Sequence, residues 1–323
     1  MKKLLCVLLA ISVLFVFSSC SEEAEADPLT VNGTPIDGEI FRYYLDEALG
    51  DPTVFDKGEA VQYATEQCIR YVAVNSAFEA RGLTLSAGSV AEVSERGNAL
   101  WRYFGEHYEK VGVSKQTFMK IRTSLAYTEA LRTMLFDEGG ISPLPDDTLK
   151  EYFSEEYVAF KALSGELFDR DVYGNRVELT EEQLTNAVER YNNAAGEINK
   201  GASIDYVYAS LINSGNDEVR QSLETIVIED GDPYYPAGFY KSVREIEPGK
   251  ADVKIFGDKI YLVCRVEILS DPDLFKKYRD VCLKAVSEPY LQSEINTMCN
   301  AYESVRRSGA VDKCYDAVKE GRQ

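Results

Sequence analysis

The chain has 323 residues and is 45% hydrophobic, enough for two domains with cores of their own. It carries 54 acidic against 35 basic residues, a formal net charge of −19, and a surface of that sign repels nucleic acids and anionic headgroups alike. With one histidine and no GxSxG, HExxH, CxxC, SxxK or phosphate-cradling glycine loop, the sequence offers none of the common nucleophile, zinc or nucleotide sites, and no cofactor or metal is expected.

The first twenty residues, MKKLLCVLLAISVLFVFSSC, place two lysines before an apolar run from Leu4 to Phe17 and small residues up to Cys20. Such a run is too short for a stable bilayer span and has the flanks of a secretory signal, so residues 1–19 are read as a leader and the protein as extracytoplasmic. Phe17-Ser18-Ser19-Cys20 resembles the lipobox of bacterial lipoproteins, which implies a lipid on Cys20 and a membrane anchor; plain cleavage and a retained anchor are the alternatives. Residues 20–29, which include SEEAEAD, read as an acidic tether with nothing to bury.

From Thr30 to Asp137 the chain reads as helix after helix. Asp37 can cap Glu39–Leu49, and Gly58–Arg81 has apolar residues at helical spacing with Gly82 as its stop. Ala87–Lys110 and Lys115–Asp137 make two more, the latter opened by Ser114 and closed by Gly139-Gly140. After the breaker Ser142-Pro143-Leu144-Pro145, Asp146 is expected to cap a short helix, Thr148–Glu156.

The pattern then changes. Val158–Phe168 reads as a strand, and Thr180 with Gln183 forms a capping box that opens a helix ending before Gly201. A short helix, Ile204–Ile212, an apolar run, Thr225–Ile228, and a Pro-Gly turn with the hairpin of IEPGKADVKIFGDKIYLVCRVEI follow. Together they give β-α-α-β-α-β-β, an α+β unit within a mainly helical chain. Beyond it, helices Leu274–Val286 and Tyr290–Val305 are expected, broken at Pro289, and a last one follows Gly309.

Five cysteines remain beyond Cys20: Cys68, Cys264, Cys282, Cys299 and Cys314. Most fall at apolar positions and read as buried free thiols, with Cys299–Cys314 as the alternative late disulfide. Asp169-Arg170-Asp171-Val172-Tyr173-Gly174 begins like a calcium loop, but Tyr173 and Thr180 stand where oxygen ligands are needed, so a turn is expected. His107, between Glu106 and Tyr108 near a helix end, reads as a structural or exposed histidine before a metal ligand.

VNGTPIDGEIFRYYLDEAL, directly after a leader and tether, resembles the opening of SurA-type and PrsA-type extracytoplasmic foldases. VGVSKQTFMKIRTSLAYTEALRTML and PLPDDTLKEYFSEEY are similar to later helices and the connector of their helical chaperone domain. The second half resembles a parvulin-type peptidyl-prolyl isomerase domain: Lys161-Ala162-Leu163-Ser164 stands for the family's KARH, EINKGASIDYVYAS for its helix pair, and FYKSVREIEPGKADVKIFGDKIYLVCRV for its last helix and hairpin. The resemblance implies a chaperone domain at 30–157, an inserted parvulin-like domain at 158–269, and a segment at 270–323 that packs with the N-terminal domain.

It also implies a loss. Active parvulins have one histidine in the first strand and one in the last, and those positions hold Ser164 and Leu262. The family's GGDLGWF stretch has no counterpart in IEDGDPYYPAGFY, where Phe239 is the aromatic residue expected to remain from a proline pocket. The expectation is a lipid-anchored chaperone for unfolded or partly folded exported proteins, with little or no isomerase activity and no use of ATP. The alternatives are a divergent isomerase built from Ser164, Tyr261 and Cys264, and a lipoprotein with one specific partner. The sequence leaves open whether the protein is a monomer or a homodimer.

Overall fold

The computed structural model describes residues 27–213 and 220–323; the leader, Cys20 and the first part of the tether lie outside the described residues. The chain divides into two compact units, one from Met1–Leu131 with Ser293–Gln323 and the other Arg132–Gln292. The helical unit opens with a hairpin, β1 (Leu29–Val31) and β2 (Thr34–Ile36). Its turn residues, Asn32 and Gly33, have φ of 47° and 82°, left-handed values that these residues tolerate and that suit a two-residue hairpin.

Helix starts follow from short polar side chains. Asp37 accepts from the Glu39 N–H at the start of α1 (Gly38–Gly50), and Asp56 from the Glu59 N–H at α2 (Lys57–Ala80). Ser86 accepts from the Ser89 N–H at α3 (Ala87–Lys110). Ser114 precedes α4 (Lys115–Phe136), accepts from the Thr117 N–H and donates its hydroxyl to Glu39, so two helix starts are tied together. Phe41 and Leu45 of α1, Cys68 of α2 and Phe118 and Ile121 of α4 then share one buried core.

The sheet unit includes α5 (Asp146–Glu156), which begins after Pro145 without a side-chain cap. Asp146 is the first helical residue rather than the expected cap, and its carboxylate accepts from Arg279 Nε at 3.0 Å. Then come β3 (Tyr157–Glu166), a small hairpin of β4 (Phe168–Arg170) and β5 (Arg176–Glu178), α6 (Glu181–Asn199) and α7 (Ile204–Asn213). The capping box at Thr180 and Gln183 makes both of its reciprocal bonds. β6 (Arg220–Glu229), α8 (Phe239–Arg244), β7 (Ala251–Phe256) and β8 (Lys259–Val266) complete the expected β-α-α-β-α-β-β order, to which the β4–β5 hairpin is an addition. The four long strands form one antiparallel sheet, ordered β6-β3-β8-β7. The class is α+β and mainly helical, as the sequence patterns indicate.

The C-terminal part corrects two expectations. α9 (Pro272–Asn300) is continuous through Pro289, and residues Ser304–Arg306 form a strand, β9, paired with β1, instead of extending a helix to Val305. Proline cannot supply the N–H that the Ala285 carbonyl would accept. One residue away the buried guanidinium of Arg132 donates to the Lys284 carbonyl at 3.0 Å and to the Ser287 hydroxyl at 2.9 Å, and it pairs with Glu288 at 2.6 Å. The helix is thus braced from outside at the turn where its own ladder is weakened.

α10 (Ser308–Gly321) returns Val311, Cys314 and Val318 to the helical core. Just past it, Arg322 donates to both the backbone and side-chain oxygens of buried Asp46, whose other carboxylate oxygen lies 2.8 Å from His107 Nε2. His107 is therefore engaged with a structural carboxylate. Among the described residues the five cysteines from Cys68 to Cys314 form no disulfide, so the alternative Cys299–Cys314 bridge is not made.

Arg132→Ala removes the bonds to Lys284, Ser287 and Glu288 at the weakened turn, leaving Ser287 a longer donation to the Lys284 carbonyl at 3.4 Å and Glu288 its bond from Gln292. The expected loss is about 2–4 kcal/mol. Urea melts followed by circular dichroism measure it as a lower midpoint.

Candidate functional site

Strands β3 and β8 hold the two positions where the family resemblance expects histidines. Their register pairs Leu163 with Leu262 and Ser164 with Tyr261. Opposed residues of an antiparallel ladder share a face and successive residues alternate, so Ser164 and Leu262 lie on opposite faces of the sheet. The packing agrees. Leu262 is fully buried with Leu163, Tyr191 and Leu211 under α6 and α7, whereas Tyr261 packs with Phe160, Val263 and Phe239 on the α8 side. The fold brings the two positions onto adjacent strands without making them one site.

The α8 side is filled. Phe239 begins α8 and is fully buried, its ring stacked on Tyr235 at 4.7 Å between centroids. Tyr261, Phe160 and Phe256 surround it at 5.1, 5.5 and 5.6 Å. Such edge and stacked contacts are the ordinary geometry of an aromatic core. Burial raises the Tyr261 hydroxyl above its usual range, so it stays protonated. Beside this core, the loop from Glu229 to Gly238 and Tyr240 line a cleft of about 320 Å³. The Tyr240 hydroxyl donates to the Glu156 carbonyl at 3.0 Å, and Arg265 donates at 2.7 Å to each of the carbonyls of Arg244 and Ile246, closing the end of α8.

Cys264 points to the other face, among the residues packed under α6. Burial pushes its thiol up, with Lys161 opposing, so at neutral pH it is not the thiolate that nucleophilic chemistry needs. Ser164 is half-buried beside neither Leu262 nor Cys264 on its face. The structure therefore distributes Ser164, Tyr261 and Phe239 to one side and Leu262 and Cys264 to the other.

A different concavity lies in the helical unit, between α2 and α4, with a volume of about 600 Å³. Tyr71, Met119 and Tyr127 supply its apolar walls, and Asn75, Gln116 and Thr123 its polar groups. The Tyr127 ring stacks on Phe78 at 3.9 Å, and Asn75 donates to the Tyr71 carbonyl and the Ser124 hydroxyl, fixing the wall between the helices. The sequence reading places these residues in two helices and singles out no groove between them. The signal present was i, i+4 spacing of mixed character, Tyr71 with Asn75 and Met119 with Thr123, which places both kinds of residue on one face of each helix.

No protein-family profile and no curated protein matches the chain. Among solved structures it is similar to the foldase protein PrsA from Lactococcus lactis, at 12% identity and a TM-score of 0.38, over 90% of this chain and 98% of that one. PrsA from Streptococcus pneumoniae is similar at 15% identity and a TM-score of 0.34, over 73% of this chain and 81% of that one. A structure of the SurA-like chaperones of Campylobacter jejuni is similar at 11% and 0.32, over 87% of this chain and 99% of that one. These are the kinds of protein that the sequence motifs resemble.

Because Phe239 is the centre of a core, its loss is a stability event. Phe239→Ala is expected to destabilise the sheet unit by about 3–5 kcal/mol, measured by thermal or urea unfolding. The double substitution Ser164→His with Leu262→His is expected to create no prolyl isomerase activity, because the two imidazoles start from opposite faces; a protease-coupled peptide assay checks it.

Proposed function

We propose that the protein is a lipid-anchored extracytoplasmic chaperone that holds unfolded or partly folded exported proteins, and that its parvulin-like unit has no prolyl isomerase activity. The observation that carries this reading is the groove between α2 and α4. Met119 and the rings of Tyr71 and Tyr127 offer apolar surface of adaptable shape, and flexible methionine with rigid aromatic walls suits ligands that share hydrophobicity but no common sequence. Burial of a few client side chains there is weak and reversible, so binding and release need no nucleotide.

The missing isomerase follows from what that reaction demands. Rotation about an X–Pro bond faces a barrier of about 18–20 kcal/mol set by amide resonance, and catalysis requires a site that favours the twisted amide with aimed hydrogen bonds. Phe239 is fully buried among the rings of Tyr235, Tyr261, Phe160 and Phe256, and no imidazole stands on β3 or β8. In this reading the leader 1–19 directs export, lipid on Cys20 anchors the chain, and the acidic stretch between Cys20 and β1, which takes Leu29 into the core, spaces it from the membrane.

One preparation beginning after Cys20 tests both halves. It is expected to suppress aggregation of a chemically unfolded secreted protein at stoichiometric amounts, with Met119→Glu reducing that effect several-fold. It is also expected to leave isomerisation of a proline peptide at its uncatalysed rate, tens to hundreds of seconds. Aggregation unchanged at excess protein overturns the chaperone reading; catalysis abolished by a substitution in residues 158–269 establishes the divergent isomerase instead.

A further inference from the structure

A second cleft lies on the other side of the sheet unit, between α6 and the β4–β5 hairpin, with a volume of about 800 Å³. Its α6 wall presents Gln183, Asn186, Arg190 and Asn193, whose spacings of three, four and three put them on one helical stripe. Among the described residues, no hydrogen bond or ion pair occupies the side chains of Asn186, Glu189, Arg190 or Asn193. At its floor is Tyr191, 1% exposed, whose hydroxyl is the one buried side-chain polar atom among the described residues without a hydrogen-bond partner. That hydroxyl lies against Gly165, where a Cβ would sit 2.5 Å from it, so only glycine leaves the gap. Gly165 and Tyr191 both line the cleft.

An unpaired buried hydroxyl is costly in a folded protein and points to a partner that arrives from outside. Burial pushes the Tyr191 hydroxyl up to about 12, so it keeps its proton and can both donate and accept. Carboxamides have the same double capacity. From Gln183 to Asn193 the stripe runs about 15 Å at 1.5 Å per residue, the length of four or five residues of extended chain. Asp169 and Glu189, both exposed on the rim, outnumber Arg190, while Glu166 is paired with Arg170, so the lining is net negative.

We infer that this cleft binds an extended polypeptide segment through its main chain, the Asn186 and Asn193 carboxamides pairing with successive peptide groups, the Tyr191 hydroxyl completing the contact beside Gly165, and a lysine or arginine of the segment facing Asp169 and Glu189. It rests on the chaperone reading above and gives the client a second, polar point of attachment on the sheet unit, independent of the apolar groove.

The probe is a fluorescent dodecapeptide of alternating valine and threonine with two lysines, titrated into the protein beginning after Cys20. A copy with alternate amides N-methylated and a copy with glutamates for the lysines serve as controls. Tyr191→Phe removes an oxygen that has no partner in the free protein, so the thermal midpoint is expected to hold or rise, while affinity for the probe falls. Asn186→Ala with Asn193→Ala is expected to weaken the probe about tenfold, the loss of two hydrogen bonds to exposed carboxamides. N-methylation is expected to abolish binding and glutamates to weaken it. Wild-type protein that suppresses aggregation while these variants bind the probe unchanged overturns the cleft and leaves the chaperone reading standing, with a buried water on Tyr191. Wild-type protein that neither suppresses aggregation nor binds the probe overturns both. Binding that needs the cleft residues without aggregation suppression supports the cleft and overturns the chaperone reading.

Discussion

The pairing of β3 with β8 governs the sheet unit. Eight residue pairs, from Ala159 with Val266 to Glu166 with Lys259, hold the register, and each pair assigns its two side chains to one face. One face receives Leu163, Ile260 and Leu262 under α6 and α7, the other Phe160, Ala162, Tyr261 and Val263 under α8. A slip by one residue would exchange the two sets and leave both cores wrongly packed, so the register is specified by burial on both sides. The chemistry that the strands can support is a consequence of this same constraint.

That constraint also explains how the sheet is stable with no histidine on β3 or β8. Neither face needs an imidazole to be stable. Leu262 adds a buried branched side chain to one core, and the aromatic cluster around the fully buried Phe239 forms the other. Arg265, on the α8 face by its pairing with Phe160, donates to the carbonyls at the end of α8 and so fixes that helix over the aromatic core. Apolar side chains at these positions pack without the desolvation cost that a buried polar group carries.

Much of this was legible in the sequence because it is local. Asp37, Ser114 and the Thr180–Gln183 box each bond within three residues, and the alternation in β8 is visible over its own length. What was not legible depends on partners far along the chain. Pro289 looked like a break because the brace, Arg132, lies 155 residues from Ser287. β9 looked like helix because its reason for being a strand is β1, at the opposite end of the chain. Ser164 and Leu262 could each be placed on a strand, but whether they share a face is decided by register, which no single strand contains.

The same separation of local from distant information bears on where binding resides. Catalysis demands that groups from several elements converge within a fraction of an ångström, and one change of register or one packed ring removes it. Holding an unfolded chain demands only surface of the right character in a recess. The α2–α4 groove needs Met119, Tyr71 and Tyr127 on facing helices, and the α6 cleft needs carboxamides at helical spacing above Tyr191. On each helix, i, i+3 and i, i+4 periodicity places these side chains on one face. Surface of this kind therefore makes smaller demands on sequence than a paired-histidine site does.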